Sequence, residues 1–426
     1  MNFFNTYQSV LGKLNYALFL LLLIALPLPR MILQPIAVAW IICWLLEGRF
    51  FSKARWKWSS RALPGLLLTL LTVWEAVSLL WAPDAQAGLR IIERHWPFII
   101  LVLIPIFGLN EHYRPERLLS VLFAACVASV PIYLFTYYWV WNYDAVIWFR
   151  PDLIRPFEFP TFHGITSAMK LRSYYCLTLT LSIFSAPILY RHYRTRYSRR
   201  DVIITLSVGI AVMLAGMVMT GSRSALLVFA VTAILMLFVS YRKRIAWWVQ
   251  LLIIAGILSL AIAAIMFSPR FSLFANTDLH DLGLSSATEM TEPRLYIWHA
   301  VCEHIGDYGF FGLGAGQHVP FLLEQYRAAG NEYFLSQQFG THSQYFSCLM
   351  CLGPLALLLL IAAFVSIPMV FKGKAQFSSI VLAVAFMVSM LADDFLERMD
   401  SILILLVWMI LLQALAQVPD KVNEKM

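Results

Sequence analysis

The chain has 426 residues, 60% of them hydrophobic and only 13% charged, against roughly 45–50% and about 25% in soluble domains. That balance excludes an ordinary water-soluble fold, and 20 glycines, 19 prolines and 6 cysteines exclude a collagen, a disordered chain and a disulfide scaffold. In a bilayer every backbone polar group must be hydrogen-bonded within the protein, so the expected fold class is all-α, a polytopic membrane protein forming one integral domain over residues 1–426.

A span takes about 20 apolar residues, and twelve runs approach that length: 14–29, 31–46, 63–82, 96–109, 118–141, 173–190, 202–219, 224–240, 246–267, 346–371, 376–392 and 401–418. The second and fourth are short enough to be tilted, kinked or re-entrant. The first ends in Leu26-Pro27-Leu28-Pro29-Arg30 without a small-x-small cleavage pattern, so it is expected to be a retained span. Alternate connections collect 20 of the 32 Lys and Arg residues, most densely at Arg191, Arg194, Arg196, Arg199 and Arg200. Positive charge is retained on the cytoplasmic side, which predicts cytoplasmic termini. The net charge of +8 therefore reads as topology and not as a nucleic-acid footprint, although such clusters can also touch anionic lipid heads.

Two connections on the opposite side are long, 142–172 and 268–345. Beside the first, Tyr137, Tyr138, Trp139, Trp141, Tyr143, Trp148 and Phe149 form an interfacial belt or a platform for sugar rings. In the turn Thr220-Gly221-Ser222-Arg223-Ser224 an arginine at membrane depth either snorkels or lines a polar pocket, and the surrounding hydroxyls favour the pocket. Within the longer loop, Thr291-Glu292-Pro293 predicts a helix start, with Thr291 as N-cap. Leu295, Trp298, Cys302 and Ile305 would form its apolar face, and a second short helix is expected over 320–329. Arg294 shares a face with Trp298, and its guanidinium fork suits phosphate oxygens near a helix N-terminus.

Further along, 309–316 holds four glycines, a flexible turn by default and an anion-binding nest otherwise. His342 stands where the loop re-enters the membrane, the side chain best matched to general-base work near neutral pH, or else an interfacial histidine. Cys348 and Cys351 have the spacing of a redox or metal pair but read better as small buried hydrophobes. Asp393 and Asp394 are adjacent carboxylates with no histidine near them in sequence, so an ion pair with an arginine or a role in orienting His342 is preferred to a metal centre.

Together these features resemble the O-antigen ligase family, whose superfamily includes O-antigen polymerases and some protein oligosaccharyltransferases. The resemblance rests on Thr220-x-Ser222-Arg223, Arg294-x-x-x-Trp298, Gly312-x-Gly314-x-Gly316 and His342-x-x-Tyr345, in that order and on one side. It implies an inverting glycosyltransferase of the bacterial inner membrane, with its site facing the periplasm and the 268–345 loop periplasmic. The implied donor is an undecaprenyl-diphosphate-linked glycan and the implied acceptor a hydroxyl of the lipid A–core oligosaccharide. No cofactor and no metal are expected. Carried over residue by residue, the family's two arginines fall on Arg223 and Arg294, its histidine on His342 and an acidic residue on Asp393, with Asp394 adjacent; Ser222, Trp298 and Tyr345 complete the expected substrate-binding set. The family's frequent His-Asn pair reads His342-Ser343 here, which leaves the asparagine's role unfilled. An O-antigen polymerase is the alternative enzyme. A transporter would also have many spans, but transporters usually show repeats or mid-membrane polar residues, whereas these charges gather at one face.

Overall fold

The computed structural model describes residues 2–48, 58–147, 172–220, 222–241 and 276–417, together with 246, 248–250, 252–256 and 259. No strand occurs among the described residues. The helices are α1 Asn2–Ala25, α2 Arg30–Leu46, α3 Leu63–Ser78, α4 Ala85–Ile92, α5 Pro97–Phe107, α6 Pro115–Ile147, α7 Arg172–Ile183, α8 Ala186–Tyr193, α9 Arg199–Met219 and α10 Arg223–Tyr241. After the long connection come α11 Pro293–Glu303, α12 His318–Ala328, α13 Glu332–Gln337, α14 Gln344–Val370, α15 Gln376–Ser389 and α16 Met399–Gln417.

Seven helices among the described residues are long and apolar enough to cross a membrane, and three shorter apolar ones lie at Met31–Leu46, Arg223–Val239 and Gly373–Ser389. This falls short of the twelve spans expected. The run at 96–109 yields only the 11-residue α5, about 16 Å long at 1.5 Å per residue and so roughly half a hydrocarbon core. The run at 246–267 and most of the 142–172 connection lie outside the described residues.

The helices alternate in direction, as the contacts at their ends show. At one end Asn110 donates to the Gly12 carbonyl and to Glu47, and Arg61 donates to the Ala416 carbonyl. At the other, Trp74 donates to the Leu352 carbonyl and Ser173 to Asp393. The last helix, α16, is buried on every face from Asp400 to Leu415; a helix apolar all round belongs at the centre of a bundle. Around it α3 packs on α14 and α5, and α15 on α10, α7 and α14.

The long loop builds a small core of its own. Tyr296, Ile297 and Val301 of α11 pack with Tyr308, Leu322, Tyr326, Phe334 and Met350. This corrects the expected face of α11: Cys302 is exposed and Ile305 is 57% exposed. The sequence carries two apolar stripes there, and the one with large aromatic partners in α12 and α13 is buried. The N-cap is likewise Glu292 and not Thr291, because Thr291 Oγ is spent closing the 288–291 turn through the Thr288 backbone.

The glycine-rich segment is neither a flexible turn nor a nest. In α14, Gly353 breaks the helix with φ 76° and ψ −178°, freeing carbonyls that Leu313 N–H and Gly314 N–H take up at 2.9 and 2.8 Å from Met350 and Cys351. A Cβ on Gly312 would overlap the Cys351 backbone, and one on Gly353 the Phe310 carbonyl. The segment is backbone laid against backbone, and it fixes the loop core to the bundle.

Candidate active site

At the bundle end where the loop docks, four connections converge. The α9–α10 turn supplies Arg223, the start of α11 supplies Glu292 and Arg294, the segment before α14 supplies His342, and the α15–α16 turn supplies Asp393 and Asp394.

The two arginines are brought together by a residue that the sequence offered only as part of a helix start. Glu292 Oε2 accepts from Arg223 Nη2 at 2.6 Å, and Glu292 Oε1 lies 3.8 Å from Arg294 Nη1. Its backbone N–H is held by the Thr277 hydroxyl at 2.8 Å. Arg294 keeps capacity to spare, since its Nε is buried without a hydrogen-bond partner. Ser222 Oγ lies 3.4 Å from Ser224 Oγ within the turn; Gly221 is outside the described residues.

His342 adopts φ 50°, a left-handed backbone that costs a non-glycine residue about 1–3 kcal/mol and persists only where neighbours impose it. Those neighbours are visible: Trp298 Nε1 donates to the Thr341 carbonyl at 2.9 Å, Ser343 N–H is held by Thr341 Oγ at 3.2 Å, and Gln344 N–H by the Met390 carbonyl at 2.9 Å. Burial first, and then the positive charge of Arg294, holds His342 below the ordinary histidine value, while Asp394 and Asp393 pull the other way. A neutral ring next to a guanidinium is available as a base.

The carboxylates are oriented by hydroxyls. Asp394 Oδ1 accepts from Thr341 at 2.8 Å and from Ser347 at 2.6 Å, and Asp393 Oδ2 accepts from Ser173 at 3.0 Å. Ligand atoms of His342, Asp393 and Asp394 lie within 4.8 Å of one another, so the three could hold a metal ion. Sequence adjacency gave no sign of this, because the histidine arrives from another connection. Tyr345 turns away, donating to the Met387 carbonyl at 2.8 Å.

Behind Asp394 lies a buried set of acids and bases outside the expected site. His95 sits 2.6 Å from Glu75 and 2.8 Å from the Leu396 carbonyl, and His318 sits 3.5 Å from both Glu397 and Cys351. Burial opposes charge on His318, but Glu397, Cys351 and Asp394 outweigh it and push the ring up to about 10. Burial raises Glu397 to about 7 despite His318 and His95. A cavity of about 20 Å³, lined by Glu75, His95, Ser347 and Glu397 among others, lies between them. Gln344 Oε1 and the His95 ring together hold the Leu396 backbone, clamping the turn that carries Asp393 and Asp394.

Residues 208–361 match the O-antigen ligase family. That match supports membership of the family. The match includes Arg223, Glu292, Arg294 and His342 and stops short of Asp393. No curated protein matches the chain. Together with the apolar helices, the match supports a membrane protein and a glycosyltransferase-like enzyme of the O-antigen ligase/polymerase type.

Proposed function

We propose that the protein is the ligase of this pair: it transfers a glycan from undecaprenyl diphosphate to a sugar hydroxyl of the lipid A–core oligosaccharide, completing lipopolysaccharide. The reaction takes place on the periplasmic side of the inner membrane, with both termini cytoplasmic. The carrying observation is the convergence of two guanidiniums with a depressed histidine on one end of the bundle. Arg223 and Arg294 hold the diphosphate and absorb the charge that develops as it leaves. His342 takes the proton of the acceptor hydroxyl, whose oxygen attacks the anomeric carbon from the opposite face and inverts it. Diphosphate is a good leaving group once its charge is met, so no general acid is needed.

Asp393 and Asp394 act through His342, holding its ring and balancing the proton it gains. Their oxygens are already met by Ser173, Thr341 and Ser347, and hydroxyl donors there compete with a cation. Transfer should therefore survive EDTA. Ser222 and Trp298 border the donor site, and Trp298 also fixes Thr341.

The ligase and the polymerase separate in the lipopolysaccharide profile of a strain lacking the gene. Bare core with accumulated lipid-linked polymer supports ligation; core bearing a single repeat overturns it in favour of polymerisation.

A further inference from the structure

Glu292 has no part in the reaction just described, yet it occupies the space between the two arginines. At the N-cap of α11 a side-chain acceptor ordinarily takes the helix's own free N–H groups. Glu292 makes no such bond; its carboxylate, 12% exposed, reaches 69 residues back in sequence to Arg223 and turns its other oxygen towards Arg294. One carboxylate thus presents two oxygens to two guanidiniums, the chemistry by which a diphosphate would engage the same pair. The pairing leaves Arg294 Nε unpartnered in a buried position, so a larger anion would satisfy the fork more fully.

We propose that Glu292 is an internal stand-in for the donor diphosphate: it pairs with Arg223 and Arg294 in the empty site, yields them when the lipid diphosphate binds, and takes them back as the product leaves. The inference rests on the two arginines holding diphosphate, as proposed above. Affinity is the difference between bound and empty states, so an interaction made only in the empty state weakens binding. That weakening serves turnover, because donor and product carry the same diphosphate, and two uncompensated guanidiniums would hold the spent carrier as tightly as the donor. No covalent bond changes in this exchange; one set of ion pairs replaces another.

The test uses the full-length protein in detergent, titrated with inorganic pyrophosphate and with undecaprenyl diphosphate, alongside transfer kinetics. Glu292→Gln keeps the side chain's size and removes its charge. It should bind both probes at least about tenfold tighter, since hydrogen bonds to charged groups are worth that much, and it should show a lower donor KM with a several-fold lower kcat. Glu292→Asp keeps the charge but is one methylene too short to span both arginines, so it should fall between; it carries the same sign should the glutamine variant not fold. Equal or weaker binding by these variants, with Arg223→Gln and Arg294→Gln binding more weakly than wild type, would overturn the stand-in and leave the arginine site intact. Arginine variants that bind both probes as tightly as wild type would instead overturn the donor-site reading itself.

Discussion

At Arg223 and Arg294 the structure answers charge with charge, through Glu292, whereas at Asp393 and Asp394 it answers charge with hydroxyls, from Ser173, Thr341 and Ser347. The two halves of the site lie side by side but are built for different work. An ion pair at the mouth of a site can be exchanged for an anionic substrate. A carboxylate held by two short hydroxyl bonds from a neighbouring helix start stays where it is. On the proposed function, the arginine half is the half that binds and the histidine half is the half that reacts.

Substitutions should divide along the same line. The largest effect is expected at the reacting half: His342→Ala should lower transfer by about 10²–10⁴-fold, the usual loss for a general base, while pyrophosphate binding stays within about twofold of wild type. Equal loss of binding and transfer would erase the division between the halves. Next come Arg223→Lys and Arg294→Lys, which keep charge but lose the planar fork. Each should weaken pyrophosphate binding by about tenfold, read by titration; wild-type affinity would mean that positive potential alone suffices.

Asp394→Asn should cost more than Asp393→Asn, by about severalfold in kcat, because Asp394 accepts two hydroxyl bonds, each worth about 1.5–3 kcal/mol to a charged group, and Asp393 accepts one from a side chain. Equal rates would show that which carboxylate faces His342 does not matter. The smallest effect is a displaced pH limb. Burial and Arg294 hold His342 below the ordinary histidine value, so the neutral base is present at neutral pH and activity is lost only as pH falls through that lowered value. Arg294→Gln removes one of the two lowering influences, so its acid limb should move to higher pH; an unmoved limb would separate Arg294 from the histidine.

The residues that the fold brings together at this end were legible in the sequence one at a time. Arg223, Arg294 and His342 stand out because a charge or a base at the end of an apolar run is costly unless it is used. The partner of the arginines was not legible. Glu292 contacts Arg223 across 69 residues, and nothing in local spacing distinguishes it from the other acids of the loop. His342 reaches Asp393 and Asp394 through the fold alone. The glycines of 309–316 read as a flexible turn or a nest because their purpose, filling the break at Gly353, depends on a helix further along the chain. The position of the loop helices followed from their start signal and periodicity, but α5 came out too short for a span, and the buried face of α11 was decided by aromatic partners that periodicity does not reveal.

The most direct test of the account is a transfer assay with purified protein, undecaprenyl-diphosphate-linked glycan and lipid A–core oligosaccharide in the presence of EDTA. The account predicts glycan attached to the core with inverted anomeric configuration at an undiminished rate. Elongated lipid-linked glycan with the core left bare, or activity lost to EDTA and restored by Mg²⁺, would contradict it.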